Sequence, residues 1–274
     1  MYKRFTILSI AFLVLFSGKS SAQLNPGARQ IALANSSVAQ DNDVFALFNN
    51  PAGLSFSSNN QLGVFYSPAP FGLSELANGF SGYKHNFQFG TVAAGYMTYG
   101  FELYRENMFT IAYSNFIDKK FSVGAAINYH TLSIERYGND NSISFNIGGI
   151  ASIQKNLRLG FLFENLSRSS FGEEANQIPV VYNSGLSYDI SKDITINAAV
   201  EKELDFDPSM KFGMEYKLIE NFELRLGYKN EPDTFAAGVG INYSIFNLDY
   251  AFYSHQYLGL THQAGIIFSF ENND

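Results

Sequence analysis

The chain has no cysteine and only four histidines in 274 residues, so no disulfide can brace the fold. Charge is scarce too. Asp, Glu, Lys and Arg make up 16% of the residues, against roughly 25% in an ordinary soluble domain. A soluble β-sandwich of this size has two outer faces to keep wet and would carry more. Long hydrophobic runs are missing as well. The run from Phe5 to Phe16 has 12 residues, too few to cross a bilayer as a helix, which takes about 20. The formal charge of −7 opposes nucleic-acid binding.

What is there begins with an export address. Lys3 and Arg4 precede the short apolar run, and Gly18, Ser20, Ser21 and Ala22 follow it. This order predicts a secretory signal over residues 1–22, cut after Ala22. Gln23 follows the cut, so no lipid anchor is expected. Losing Lys3, Arg4 and Lys19 takes the formal charge from −7 to −10.

Aromatic and aliphatic residues then recur with a period of two. In Phe222 to Asn230, Phe222, Leu224, Leu226 and Tyr228 share one face, and Glu223, Arg225, Gly227 and Lys229 share the other. Side chains of a strand point alternately to opposite faces, so one face suits hydrocarbon and the other water. Similar segments fall at about 60–68, 74–84, 87–98, 103–116, 121–134, 142–154, 157–167, 179–189, 194–203, 210–218, 222–230, 234–243, 246–254 and 259–270. Their number is 14, or 12 if the first two are set aside. Only a closed sheet pairs every backbone polar group inside lipid. The fold class expected is therefore all-β: a transmembrane antiparallel β-barrel over residues 57–274, in a chain whose 44 Tyr and Phe residues fall mostly within it.

Link lengths orient the barrel. The even-numbered links are short, as at His85-Asn86 and Lys155-Asn156, while Glu135–Asn141 and Arg168–Ile178 are longer and odd-numbered. Outer-membrane barrels keep short turns in the periplasm and longer loops outside. Both termini are then expected in the periplasm. The last segment, ending at Phe270, has the amphipathic, aromatic-ended form of a barrel-insertion signal.

Residues 23–56 lack alternation. Asp43 is placed to N-cap a short helix through Phe48, ended by Pro51. A barrel of about 8 strands fills itself with side chains and one of 16–18 leaves a channel. A small-residue segment fits the space between, as a hatch in the lumen. Here the residues resemble a family. Gly27-Ala28-Arg29, the run Ala32 to Ala39, and Asp43 to Leu54 with its Asn50-Pro51-Ala52-Gly53 resemble the N-terminal region of PorV/PorQ proteins in the FadL-like barrel superfamily. The resemblance implies a 14-stranded barrel with a lumenal hatch, in the outer membrane of a Gram-negative, Bacteroidetes-like bacterium. It implies either a non-enzymatic barrel that binds or passes hydrophobic small molecules, or an accessory component of type IX protein secretion. Expected partners are outer-membrane lipid with a hydrophobic small molecule or with type IX secretion proteins.

Catalytic and metal signals are weak. His130-Thr131-Leu132-Ser133 lacks the flanks of an outer-membrane lipase, and His262 falls on the lipid-facing parity. Asp41-Asn42-Asp43 lacks the glycine and distal acid of a calcium loop, so neither metal nor cofactor is expected. Glu201, Lys211, Glu215, Lys217, Glu223 and Arg225 face the lumen by parity on three consecutive strands. They form either a mixed-sign ladder that stiffens the wall or a selectivity or gating patch that holds the hatch through Arg29. Pro70, Phe71, Leu73, Tyr99, Phe101, Tyr104 and Phe171 read either as an interfacial girdle or as a landing site for a ligand.

Overall fold

The computed structural model describes residues 26–40, 42–172, 176–255 and 258–271. The signal segment 1–22, the first residues of the expected hatch and Asp41 lie outside them.

Each of the expected alternating segments contains a strand. The strands are β1 (Asn60–Ser67), β2 (Asn78–Phe87), β3 (Gly90–Gly100), β4 (Tyr104–Phe116), β5 (Phe121–Ile134), β6 (Gly138–Gln154), β7 (Leu157–Glu164), β8 (Ser170–Phe171), β9 (Asn176–Gln177), β10 (Val181–Asp189), β11 (Ile194–Glu203), β12 (Ser209–Ile219), β13 (Phe222–Asn230), β14 (Asp233–Tyr243), β15 (Phe246–His255) and β16 (Gly259–Phe270). Fourteen of them form a closed antiparallel barrel in chain order, and β8 and β9 make a small ribbon outside it. The seam joins β1 to β16, with Asn60 opposite Phe270 and Tyr66 opposite Ala264. No open edge remains in the barrel, which is the condition for a sheet in hydrocarbon.

Burial follows the parity of the sequence. Ile111 and Phe235 on the outer face are each 64% exposed, while inward neighbours such as Thr110 and Ala112 are 1% exposed. Apolar side chains thus cover the outside and small or polar ones the inside, the reverse of a water-soluble protein. At the end with short turns, Phe87 stacks on Phe89 with ring centroids 5.0 Å apart, and His85 packs on Phe87. Tyr113 donates to the Phe89 carbonyl at 2.6 Å. Such aromatic belts mark the interface between hydrocarbon and water.

Several boundaries differ from the expectation: His85 and Asn86, expected as a link, lie within β2, and β7 ends at Glu164. β6 begins at Gly138, so the link after β5 is residues 135–137 and not Glu135–Asn141. Polar Asn139, Asp140 and Asn141 pair with Ser133, Leu132 and Thr131, because a hairpin that projects into water needs no apolar face. β2 begins at Asn78, since Pro70–Gly72 and Ser74–Leu76 form short 3₁₀ turns in a link of residues 68–77. That link and residues 165–180 are the long connections. Both lie at the barrel end opposite the short turns, called the mouth below.

Candidate functional site

The segment before β1 lies inside the barrel. Its path is set by local capping. Helix α1 (Ala28–Ala32) follows Gly27, whose φ of 103° suits glycine. Asp43 caps the 3₁₀ turn Val44–Leu47 by accepting from Phe45 N at 2.8 Å, as the spacing predicts. Pro51 ends that run and also starts the next turn, Pro51–Phe56, where Asn50 accepts from Ala52 N. Asn50 is fully buried and its Nδ2 donates to Val38 O at 2.7 Å. The Asn50-Pro51-Ala52 motif is thus a backbone clasp within the segment.

Glycine is what lets the segment fit. A Cβ at Gly124 on β5 would sit 2.4 Å from Ala52 N, one at Gly160 on β7 2.5 Å from Val38 O, and one at Gly227 on β13 2.4 Å from Ala34 N. On β1 to β3, Gly63, Gly82 and Gly95 meet Val44, Leu47 and Phe48 in the same way. Gly63, Gly82 and Gly95 are direct cross-strand partners. The wall is therefore thinned to bare backbone on strands all round the circumference, at the level the segment crosses. The sequence analysis placed Gly227 on the water-facing side of its segment and drew nothing further from it. The fuller signal was present as glycine at inward parity in the middle of strand after strand.

The inner surface has two unlike sides. On one, a row one step nearer the mouth runs through direct partners Phe65, Phe80, Met97, Met108 and His130. Phe65 and Phe80 pack edge to face at 5.7 Å, Phe48 of the segment meets Phe80 at 5.2 Å, and Phe45 meets Phe65. Tyr99, Met108 and Tyr253 extend this apolar cluster toward the mouth. Phe71, expected in the outer girdle, instead packs on Tyr253 and His255, and Phe171 packs on His130. Both long mouth links thus fold a phenylalanine over the lumen.

The opposite side holds the charges. Arg29 grips Glu215 with two bonds, Nε to Oε2 at 2.8 Å and Nη2 to Oε1 at 3.1 Å. Glu215 also accepts from Arg225 Nε at 2.7 Å and from Gln40 Nε2 at 2.9 Å. Arg225 reaches Asp249 at 2.6 Å and also pairs with Glu223. Lys211 pairs with Glu201, and Lys229 lies 3.9 Å from it. Five of the six expected ladder residues therefore lie on one charged side of the lumen, in two ion-paired groups, one around Arg225 and one around Glu201. Among the described residues Lys217 forms no ion pair. Asp249 and Lys229 belong to it and were missed, though both have inward parity. Lys84 was missed too. It is fully buried and holds the end of the segment through Leu54 O and Ser57 O, at 2.8 and 2.7 Å.

Among the remaining residue-level expectations, Gly53 follows the clasp and is buried, and Ala28 packs in the apolar cluster. His130 Nε2 faces Ser144 Oγ at 2.8 Å, but among the described residues no carboxylate bonds its ring, and Ser144 is 2% exposed. That pair is no accessible nucleophile. His262 faces outward against Tyr250. A cavity of about 20 Å³ lies between segment and wall, and a polar groove of about 300 Å³ opens at the short-turn end beside Ser55, Asn86 and Asn115.

No family model and no curated protein matches the chain. Solved structures do. The CymD monoaromatic hydrocarbon channel superposes with a TM-score of 0.71 at 12% identity, covering 93% of this chain and 100% of that one. The Pseudomonas putida toluene transporter TodX gives 0.67 at 14% identity, over 91% of this chain and 99% of its own. A Pseudomonas aeruginosa FadL homologue gives 0.61 at 12% identity, over 90% and 97%. The chain has the fold of FadL-like hydrophobic transporters.

Proposed function

We propose that the protein is a non-enzymatic outer-membrane barrel that binds hydrophobic small molecules at its mouth and passes them inward, with residues 23–56 as a hatch. The carrying observation is the apolar row Phe65, Phe80, Met97 and Met108 packed on the segment, with Tyr99 and Tyr253 beyond it toward the mouth. Thioethers and aromatic rings adapt to apolar ligands of varied shape. On this side Phe45 and Phe48 are held by side-chain packing and the end of the segment by Lys84, and on the other side the segment is held by ion pairs. A ligand that displaced Phe45 and Phe48 would do so along the apolar side without parting an ion pair. The apolar outer wall supports a membrane setting, and the short turns support a periplasmic position for both termini.

The test is uptake of a labelled monoaromatic hydrocarbon and a labelled fatty acid by vesicles with a lipopolysaccharide leaflet. The full chain is expected to raise uptake above protein-free vesicles, and Met108→Asp to lower it. Uptake equal to protein-free vesicles for both probes, with and without residues 23–54, overturns the reading. The alternative, a PorV/PorQ-like accessory of type IX secretion, draws its support from the Asn50-Pro51-Ala52 segment. Co-purification of secretion components from native membranes would favour it.

A further inference from the structure

The cavity of about 20 Å³ is lined by Gln30, Asn35 and Ser37 of the segment and by Glu164, Asn183 and Glu201 of the wall, among others. Three of these residues bring a buried carbonyl oxygen with no hydrogen-bond partner: Gln30 Oε1, Asn35 Oδ1 and Asn183 Oδ1. Gln30 is 1% exposed and Asn183 8%. Two of the amides are fixed in orientation by chemistry. Gln30 Nε2 donates to Asp43 Oδ2 at 2.9 Å, and Asn183 Nδ2 donates to Glu201 Oε2 at 3.3 Å. Turning either amide would set a carbonyl against a carboxylate.

The space and the oxygens do not suit a water alone. A cavity of this size has room for about one water, which occupies roughly 10–15 Å³ on this measure. One water has two protons to give, and there are three acceptors. A cation held among these residues would draw on their oxygens as carbonyl oxygens serve when they replace a hydration shell. Two carboxylates, Glu164 and Glu201, also line the cavity, the second paired with Lys211. Among the described residues no group of three His, Cys, Asp or Glu could hold a metal ion. A set dominated by neutral carbonyls suits a singly charged ion rather than a divalent one.

We propose that this cavity binds one monovalent alkali cation, which ties the N-terminal segment to the barrel wall. Its ligands come from both sides of that boundary, so the ion is bound only while the segment is seated. Binding to the seated form alone stabilises it by mass action.

The experiment is thermal unfolding of the purified full chain in detergent, in sodium, potassium or N-methylglucamine chloride at constant ionic strength. The expected result is a saturable rise with sodium or potassium, about 3–5 °C per tenfold increase above the dissociation constant. Asn183→Ala should abolish it, and Asn35→Ala should do the same if the first variant does not fold. Crystals soaked in rubidium chloride should show anomalous density among these oxygens. Equal midpoints in all three salts would mean that the cavity holds water only, and would overturn the proposal. An alkali-specific rise that survives both substitutions would also overturn it, since the ion would then sit elsewhere.

Discussion

Single residues decide whether the segment fits. Gly124→Ala puts a methyl group 2.4 Å from the Ala52 nitrogen, and backbone cannot step aside as a side chain can. A cost of about 1–3 kcal/mol is expected. Gly265→Ala meets nothing nearer than 3.5 Å and should be close to neutral. Urea unfolding of both variants in detergent checks the contrast, and equal midpoints would show that the segment yields at Gly124. Glu215→Gln keeps shape but leaves Arg29 and Arg225 without their shared carboxylate. Breaking a buried ion pair in this way costs on the order of 3 kcal/mol. The same titration should show it, together with faster proteolysis near Arg29.

At the scale of elements, the two caps define the segment. Asn50→Ala removes both the cap on Ala52 and the bond to Val38 O, and a loss of about 1–2 kcal/mol is expected. Asn50→Asp should be worse, because a carboxylate would replace the donor that faces the carbonyls of Val38 and Gly149. Limited proteolysis of the two variants ranks them, and Asp behaving better than Ala would refute the assignment. The strands were legible because period-two patterning is local. Phe222 to Asn230 announces its pairing in nine residues. The ends of β2 and β6 were less legible, since polar residues such as Asn139 can extend a hairpin into water without any apolar signature. The segment's contacts were hidden for another reason. Arg29 meets Glu215 across 186 positions, and nothing near Arg29 in the chain names its partner. Parity placed Glu215 among six inward charges and left open which of them Arg29 would meet.

For the whole molecule, the apolar exterior is the property most open to challenge. Ile127 lies mid-strand on the outer face of β5 and is 52% exposed. Ile127→Arg should destabilise the barrel in lipid vesicles by about 2–4 kcal/mol. Asn139→Arg, near the mouth end of the β5–β6 hairpin, should leave it nearly unchanged. Folding titrations into vesicles measure both, and equal effects would argue against a bilayer around β5.

Chain order and the ring of glycines together constrain how this protein is assembled. The seam between β1 and β16 requires both ends of the wall, so it cannot form before the chain is complete. The segment precedes β1 and already touches backbone on strands all round the circumference. With the wall this close on every side, the segment has little room to enter a finished ring from outside. The wall is laid down around its contents, as a coil is wound on a spool, and the last seam sews the segment in.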